Sequence, residues 1–206
     1  MTGSGQEIEA KFYVHDLARI QVRLEELGAQ HVQDRVLETN IRFDLPGAKL
    51  RAGGRVLRLR RDTEARLTYK SASSKKKGVL SREEIEFIVE DFETAKRFLE
   101  ALGYQKLFYY EKYRTTYRLA QTLVMLDELP YGSFVEIEGE GIEPIHALAR
   151  ELCLSLQAPI AASYHALFER VRKTLRLPFQ DLSFANFADR QVRPEHLGVR
   201  AADRGA

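Results

Sequence analysis

Glu7, Glu9 and Lys11 are three charged side chains at a spacing of two. On a β-strand that spacing puts all three on one face, because successive side chains point to opposite sides. The rule recurs in five further segments: Arg58 and Arg60; Thr68 and Lys70; Arg82, Glu84 and Glu86; Lys112 and Arg114; Glu136 and Glu138. Between the charges sit Ile8, Leu59, Tyr69, Ile85, Tyr113 and Ile137, which suit packing on the opposite face. One such pair alone is the solvated face of a sheet. Six one-sided segments carrying both signs form a single ionic surface, able to hold a polyanion on its basic groups and hard cations on its carboxylates. A sheet whose other face is covered by amphipathic helices must expose that surface or close around it. Closure of about eight antiparallel strands gives a barrel whose interior holds side chains and one small ligand.

The ordered set resembles the CYTH superfamily, also called the triphosphate tunnel metalloenzymes. The resemblance rests on Glu7-x-Glu9-x-Lys11, Leu57-Arg58-Leu59-Arg60, Leu67-Thr68-Tyr69-Lys70, Ser81-Arg82-Glu83-Glu84-Ile85-Glu86, Glu111-Lys112-Tyr113-Arg114, Leu126-Asp127 and Phe134-Val135-Glu136-Ile137-Glu138. It spans about residues 6 to 175 and implies an α+β fold: a closed eight-stranded antiparallel β-barrel, a tunnel with an ionic lumen and helices packed outside. The segment Glu38-Thr39-Asn40-Ile41-Arg42-Phe43 departs from the family pattern, lacking the tyrosine that many members place there.

Triphosphate chemistry suits this lining. Guanidinium groups offer planar forks to phosphate oxygens and lysine a compact charge, so Lys11, Arg58, Arg60, Lys70, Arg82, Lys112 and Arg114 are the substrate-binding candidates. Glu7, Glu9, Glu84, Glu86, Asp127, Glu136 and Glu138 are the candidate ligands for Mg2+ or Mn2+. Two such ions would bring four positive charges against the roughly four to five negative charges of a triphosphate. The resemblance puts Glu7, Glu9, Glu136 and Glu138 on metal and Lys11, Glu9 and Lys112 at the reacting centre. The activity it implies first is hydrolysis of the terminal phosphate of inorganic triphosphate or a nucleoside triphosphate. Class IV adenylyl cyclase chemistry, thiamine triphosphatase activity and a non-catalytic polyphosphate-binding module are the alternatives; the segments around Asp127 to Glu138 and Ser163 to Leu167 also resemble cyclase-like members.

The 206 residues, 44% hydrophobic and 30% charged, suffice for one core. A net charge of +2 argues against a nucleic-acid partner. The single cysteine, Cys153, fits a reducing, cytoplasmic setting and reads as a buried small hydrophobe. No apolar run approaches the length of a membrane span, and Met1 to Gly5 form no signal-peptide core, so no membrane partner is expected.

The elements that position the charges repeat. Residues 9 to 29 align with 84 to 104 at an offset of 75, Val14 and Asp16 falling on Val89 and Asp91, and the likeness fades after Gly28 and Gly103. Each half reads as a charged strand, an Asp-started amphipathic helix closed by glycine, then further strands. Gly53 and Gly54 mark a turn, Ser71 to Gly78 a mobile loop, and residues 143 to 157 and 161 to 176 helices that cover the barrel. The tunnel domain is taken as residues 1 to 177 and a C-terminal extension as 178 to 206. Phe179, Leu182, Phe184 and Phe187 are expected to dock, the last dozen residues to be disordered, and the extension is the candidate for joining two chains in a homodimer.

Overall fold

The computed structural model describes residues 3–203. Nine strands run β1 (Gly3–Val14), β2 (Gln30–Asp44), β3 (Val56–Arg61), β4 (Ala65–Lys70), β5 (Ser74–Lys76), β6 (Val79–Val89), β7 (Gln105–Leu119), β8 (Thr122–Leu129) and β9 (Gly132–Glu138). Eight of them close into an antiparallel barrel in the order β1-β9-β8-β7-β2-β3-β4-β6, with β1 pairing back onto β6. β5 lies outside the ring as a short hairpin arm on β6. The expected loop over Ser71 to Gly78 is thus partly a strand, with Lys75 and Lys76 exposed on it.

Helices α1 (Leu17–Glu26) and α3 (Phe92–Ala101) start where the repeat places them. Asp16 and Asp91 accept from the Arg19 and Thr94 N–H groups, capping two orphan donors. The duplication runs further than the sequence likeness, since β2 and β7 have equal lengths and begin at matching positions. β1 and β6 pair with Glu7 opposite Arg82, its own counterpart 75 residues on. Exchanging β1 with β6, β2 with β7, β3 with β8 and β4 with β9 reverses the ring order and leaves it unchanged, so the barrel is a pseudo-twofold pair of halves.

Strand alternation sends apolar residues outward into two clusters, and a third forms on the inward face, where Phe108 and Tyr110 share a side with Lys112 and Arg114 and Phe134 with Glu136. Ala10, Phe12, Val135 and Ile137 pack with α1 and with Ile145, Leu148 and Leu152 of and just beyond α4 (Ile142–Glu151). Ile41, Phe43, Leu57 and Leu59 meet Phe92 and Leu99 of α3 and Leu50 of α2 (Lys49–Ala52). Phe108, Tyr110, Tyr131 and Phe134 meet Leu167, Phe168 and Val171 of α5 (Tyr164–Thr174). The third cluster also takes in Leu182, Phe187 of α6 (Phe184–Phe187) and Leu197 of α7 (Pro194–Leu197).

The C-terminal extension therefore docks, and its end differs from the expected disorder as far as Asp203. The Ala202 N–H donates to the Tyr13 carbonyl at 2.8 Å, and the Asp203 carboxylate accepts from the His15 and Asp16 N–H groups at 2.7 and 3.0 Å. Burial of Leu197 and Ala202 gives this polar segment an apolar anchor that composition alone hides. The expectation for residues 204–206, and for the first two residues, lies outside the described part. Cys153 is also corrected: it is exposed, at a positive φ of 57° just past α4. Among the described residues no helix is long and apolar enough to cross a membrane.

Gly132, in the tight β8–β9 turn, has φ of 145°, and a Cβ there would come within 2.6 Å of the Tyr13 ring. Gly28 has φ of 75° but open space around it. Gly132→Ala is expected to destabilise by about 2–4 kcal/mol, combining backbone strain with overpacking, and Gly28→Ala by about 1 kcal/mol. Denaturant unfolding of the two variants checks the order; equal losses would mean that Tyr13 does not press on the turn.

Candidate functional site

The lumen is a cavity of about 690 Å³. Its wall is built by the inward halves of the strands: Glu7, Glu9 and Lys11 from β1; Glu38 and Arg42 from β2; Arg58 and Arg60 from β3; Arg66 and Lys70 from β4. β6 adds Arg82, Glu84 and Glu86, β7 adds Tyr110, Lys112 and Arg114, and β9 adds Glu136 and Glu138. Asp62 lies at the β3–β4 turn, and Ser163, Tyr164 and His165 reach in from the start of α5. Every sequence-predicted site residue is on this wall except Asp127.

Asp127 sits behind the wall, fully buried, as a structural acceptor. It takes hydrogen bonds from Lys112 Nζ at 2.9 Å, from Arg114 through two N–H groups at 2.6 Å, and from the Tyr164 hydroxyl at 2.8 Å. With four donors it is not free for a metal. Arg114 reaches on to Glu136, which pairs with Lys11 Nζ at 2.9 Å, and that ammonium lies 4.2 Å from the centre of the Tyr164 ring. Burial opposes charge on Glu136, but Lys11 and Arg114 hold its pKa well below the carboxylate range. Burial likewise opposes charge on Lys11, yet Glu136 and Glu9 raise its pKa, so it stays an ammonium.

A second group centres on Glu7. Lys70 binds one of its oxygens and Arg82 the other at 2.7 Å, while Lys70 also meets Glu84 at 3.0 Å. Burial would raise the Glu7 pKa, but the two cations hold it at about 2. A third group gathers Arg58, Arg60 and Arg66 around Glu86, with Arg60 also 3.4 Å from Glu38. Arg66, which the sequence reading places at the mouth or in the loop with Lys76, thereby belongs to the lumen, where it also pairs with Asp62 and Glu64.

What remains outside these groups is informative. Glu9 and Glu138 face each other across the β1–β9 ladder. Glu138 has no ion pair among the described residues; burial, then Glu7, Glu84 and Glu9, push its pKa to about 7. The nearest cation to Glu9 is Arg82, at 3.9 Å. Burial and Glu136 raise the Glu9 pKa as well. These two adjacent, under-neutralised carboxylates fit a divalent cation, although among the described residues no three or more His, Cys, Asp or Glu side chains are gathered closely enough to hold one unaided. Mg2+ is commonly held by one or two carboxylates, with substrate phosphates and waters completing the shell. Of the seven predicted metal ligands, Glu7, Glu86 and Glu136 are already engaged by cations, as is Asp127, and Glu84 shares Lys70.

The pattern missed Glu38, Arg42, Asp62, Arg66, Tyr110 and the α5 residues. Glu38, Asn40 and Arg42 do keep the period-two spacing, so that signal was present. Tyr164 comes from a helix outside the barrel, where no strand period could announce it.

A family model described as CYTH domain matches residues 5–159. None of the curated proteins matches the chain. Among solved structures, a candidate adenylate cyclase from Vibrio parahaemolyticus gives a TM-score of 0.73 at 19% identity, over 81% of this chain and 99% of that one. The PH1012 protein of Pyrococcus horikoshii gives 0.66 at 27% identity, over 77% and 96%. A candidate adenylyl cyclase from Hippeastrum, HpAC1, described as having a dominant triphosphatase activity, gives 0.58 at 20% identity, over 79% and 95%. At these identities the first and third show likeness of fold.

The Glu138 carboxyl gives a pH signature in metal-free protein. Its folded pKa of about 7 exceeds the ordinary 4.5, so folding takes up a proton between those values. The stability it contributes is complete below about 4.5 and is lost as pH rises through about 7. Glu138→Gln should therefore melt above the parent at pH 8 in excess chelator, with the gain gone by pH 4.5. A gain independent of pH would show that it does not come from the Glu138 charge, and a loss at pH 8 that a cation neutralises that carboxylate.

Proposed function

The chain belongs to the CYTH family, and from that premise we propose that it is a divalent-metal-dependent phosphohydrolase. Its substrates are inorganic triphosphate or nucleoside triphosphates, and it transfers the terminal phosphoryl group to water. The observation that carries this reading is the opposition inside one closed lumen of nine basic side chains and the under-neutralised pair Glu9 and Glu138. The basic set matches the closely spaced oxygens of a polyphosphate, and the acidic pair leaves room for the cation such a substrate brings.

Mg2+ or Mn2+, as one or two ions on Glu9 and Glu138, would polarise the phosphoryl oxygens and lower the pKa of bound water. The chain's own residues do the rest. Arg58, Arg60, Arg82 and Arg114 are held in place by carboxylates and can grip the phosphate oxygens without reorganising. Lys11 remains protonated, so it acts as a stabiliser of charge growing on the leaving oxygen and not as a base. Its bond to Glu136 and its seat over Tyr164 fix its direction. Lys112, tied to Asp127 and Glu38, adds a second ammonium to the same wall.

Incubation with inorganic triphosphate and, separately, with ATP plus Mg2+ or Mn2+ tests the reaction. Release of orthophosphate is expected, and excess chelator should stop turnover while circular dichroism stays unchanged. Cyclic AMP with pyrophosphate would instead assign the cyclase reaction. The roles separate by mutation: Glu9→Gln and Glu138→Gln should lower kcat by ~100-fold or more, whereas Lys76→Ala on the exposed β5 arm should change it by less than about 2-fold. Equal losses in folded Glu9→Gln and Lys76→Ala would remove the Glu9 strand from the reacting centre.

A further inference from the structure

The two halves of the barrel match in backbone and differ in cover. The offset of 75 sets Ala10 and Phe12 of β1 on Ile85 and Phe87 of β6. The ladders then match their neighbours: Ala10 and Phe12 pair with Ile137 and Val135 of β9, Ile85 and Phe87 with Tyr69 and Leu67 of β4. In the first set all four side chains are buried beneath α4. In the second, Ile85 and Phe87 stand 42% and 43% exposed, and Leu67 and Tyr69 are half-buried. The chain leaves β4 through the β5 arm straight into β6, so no counterpart of α4 is built over them.

The helix beside this face shows the same difference. α3 is the counterpart of α1, and the offset sets Phe98 on Arg23 and Leu102 on Leu27. Arg23 donates to the Glu151 carbonyl at the end of α4 at 3.0 Å, and Leu27 packs into the covered core. Phe98 and Leu102 are instead 62% and 57% exposed, one helical turn apart on the flank that the pseudo-twofold turns toward β4 and β6. Where one half has a polar contact to a covering helix, the other has a bare aromatic ring. Five of the eight large apolar side chains left exposed among the described residues, Ile85, Phe87, Ile88, Phe98 and Leu102, lie on β6 and on or just past α3. Apolar side chains gathered in this way mark a surface that takes a partner.

We propose that this face binds a second copy of the chain in a twofold dimer, each α3 seated on the β4–β6 face of the other copy, in the place that α4 holds in the first half. α3 and α4 are each 10 residues long, so the helix of one copy spans the seat as α4 does. The patch contains both parts of the contact, a helix flank and an open sheet, which is what a self-complementary interface requires. Its rim carries both signs. Glu83, outward on β6, and Arg97, beside Phe98 on α3, are exposed and without an ion pair among the described residues, and the twofold gives each a partner of opposite sign in the other copy. The C-terminal extension offers no such face, since Leu182, Phe187 and Leu197 are buried in their own chain.

Sedimentation equilibrium on the full chain tests the pairing. The parent should reach twice the chain mass at ~100 µM. Phe98→Glu and Phe87→Lys should each weaken dimerisation by ~10-fold or more, whereas Val22→Glu, on the exposed side of α1, should leave it unchanged. The substituted side chains are exposed in the single chain, so thermal melting in dilute solution should match the parent and confirm the fold. Mixing Phe98→Glu with Phe87→Lys should restore the dimer, because one of its two contacts keeps the parent residues and the other sets glutamate against lysine. A parent that stays monomeric at ~100 µM would overturn the second copy and leave the face to a foreign amphipathic helix. Single variants that dimerise like the parent, or a mixture that dimerises no better than either alone, would overturn the seating of α3 on the β4–β6 face.

Discussion

Enclosing many charges in one lumen is the constraint on which the rest of this structure depends. Each ionised group taken from water costs several kcal/mol unless it is paired and hydrogen-bonded. The strands meet that cost by interleaving signs, and every pairing also joins elements. Glu7 ties β1 to β4 and β6 through Lys70 and Arg82. Glu86 ties β6 to β3 through Arg58 and Arg60. Asp127 ties β8 to β7 and to α5 through Lys112, Arg114 and Tyr164. The electrostatic network is thus also a set of clamps on the register, and a one-residue slip of any strand would turn its charges out and its apolar residues in.

Those pairings separate neutralised from under-neutralised charge within one chemically uniform lining. Carboxylates with two or more close cations, Glu7, Glu38, Glu86, Asp127 and Glu136, are fixed acceptors. Glu9 and Glu138 on one wall and Arg42 on another carry the unmet charge. Under the proposed reading, a polyanion with a divalent cation would bring both missing signs together, so that occupancy would relieve the repulsion among the carboxylates and around Arg42 at once.

Strand alternation made the barrel and most of its lining legible, because Glu7-x-Glu9-x-Lys11 and its five companions keep a spacing that only an extended chain turns into a face. The repeat of Asp16 and Asp91 located both outer helices. Arg42 was legible in principle but follows a bulged, exposed stretch of β2, where register shifts between His31 and Val36 break the alternation. Arg66 hides just past the Asp62-Thr63-Glu64 turn, and Tyr164 enters from another layer. No local pattern states which carboxylate will be neutralised: Asp127 and Glu138 look alike in sequence, and only the closure of the ring gives one four donors and the other none among the described residues.

The pseudo-twofold barrel poses a last problem, since a symmetric tunnel would accept a linear polyphosphate in either direction. The duplicated positions resolve it by charge. Glu9 and Glu84 keep the same sign, but Glu7 corresponds to Arg82 and Lys11 to Glu86. Two sign reversals leave the fold equivalent and the potential unequal; the under-neutralised Glu9 and Glu138 lie on β1 and β9, while the guanidiniums of β3 are paired with Glu38, Asp62 and Glu86. Reversing a bound chain with its cation would set like charge against like on both walls, and at the effective dielectric of a protein site that repulsion amounts to several kcal/mol for each close pair. Divergence of the two halves at these few positions therefore makes the two directions through the tunnel electrostatically unequal, and under the proposed phosphohydrolase reading that inequality would decide which end of a substrate lies near Lys11.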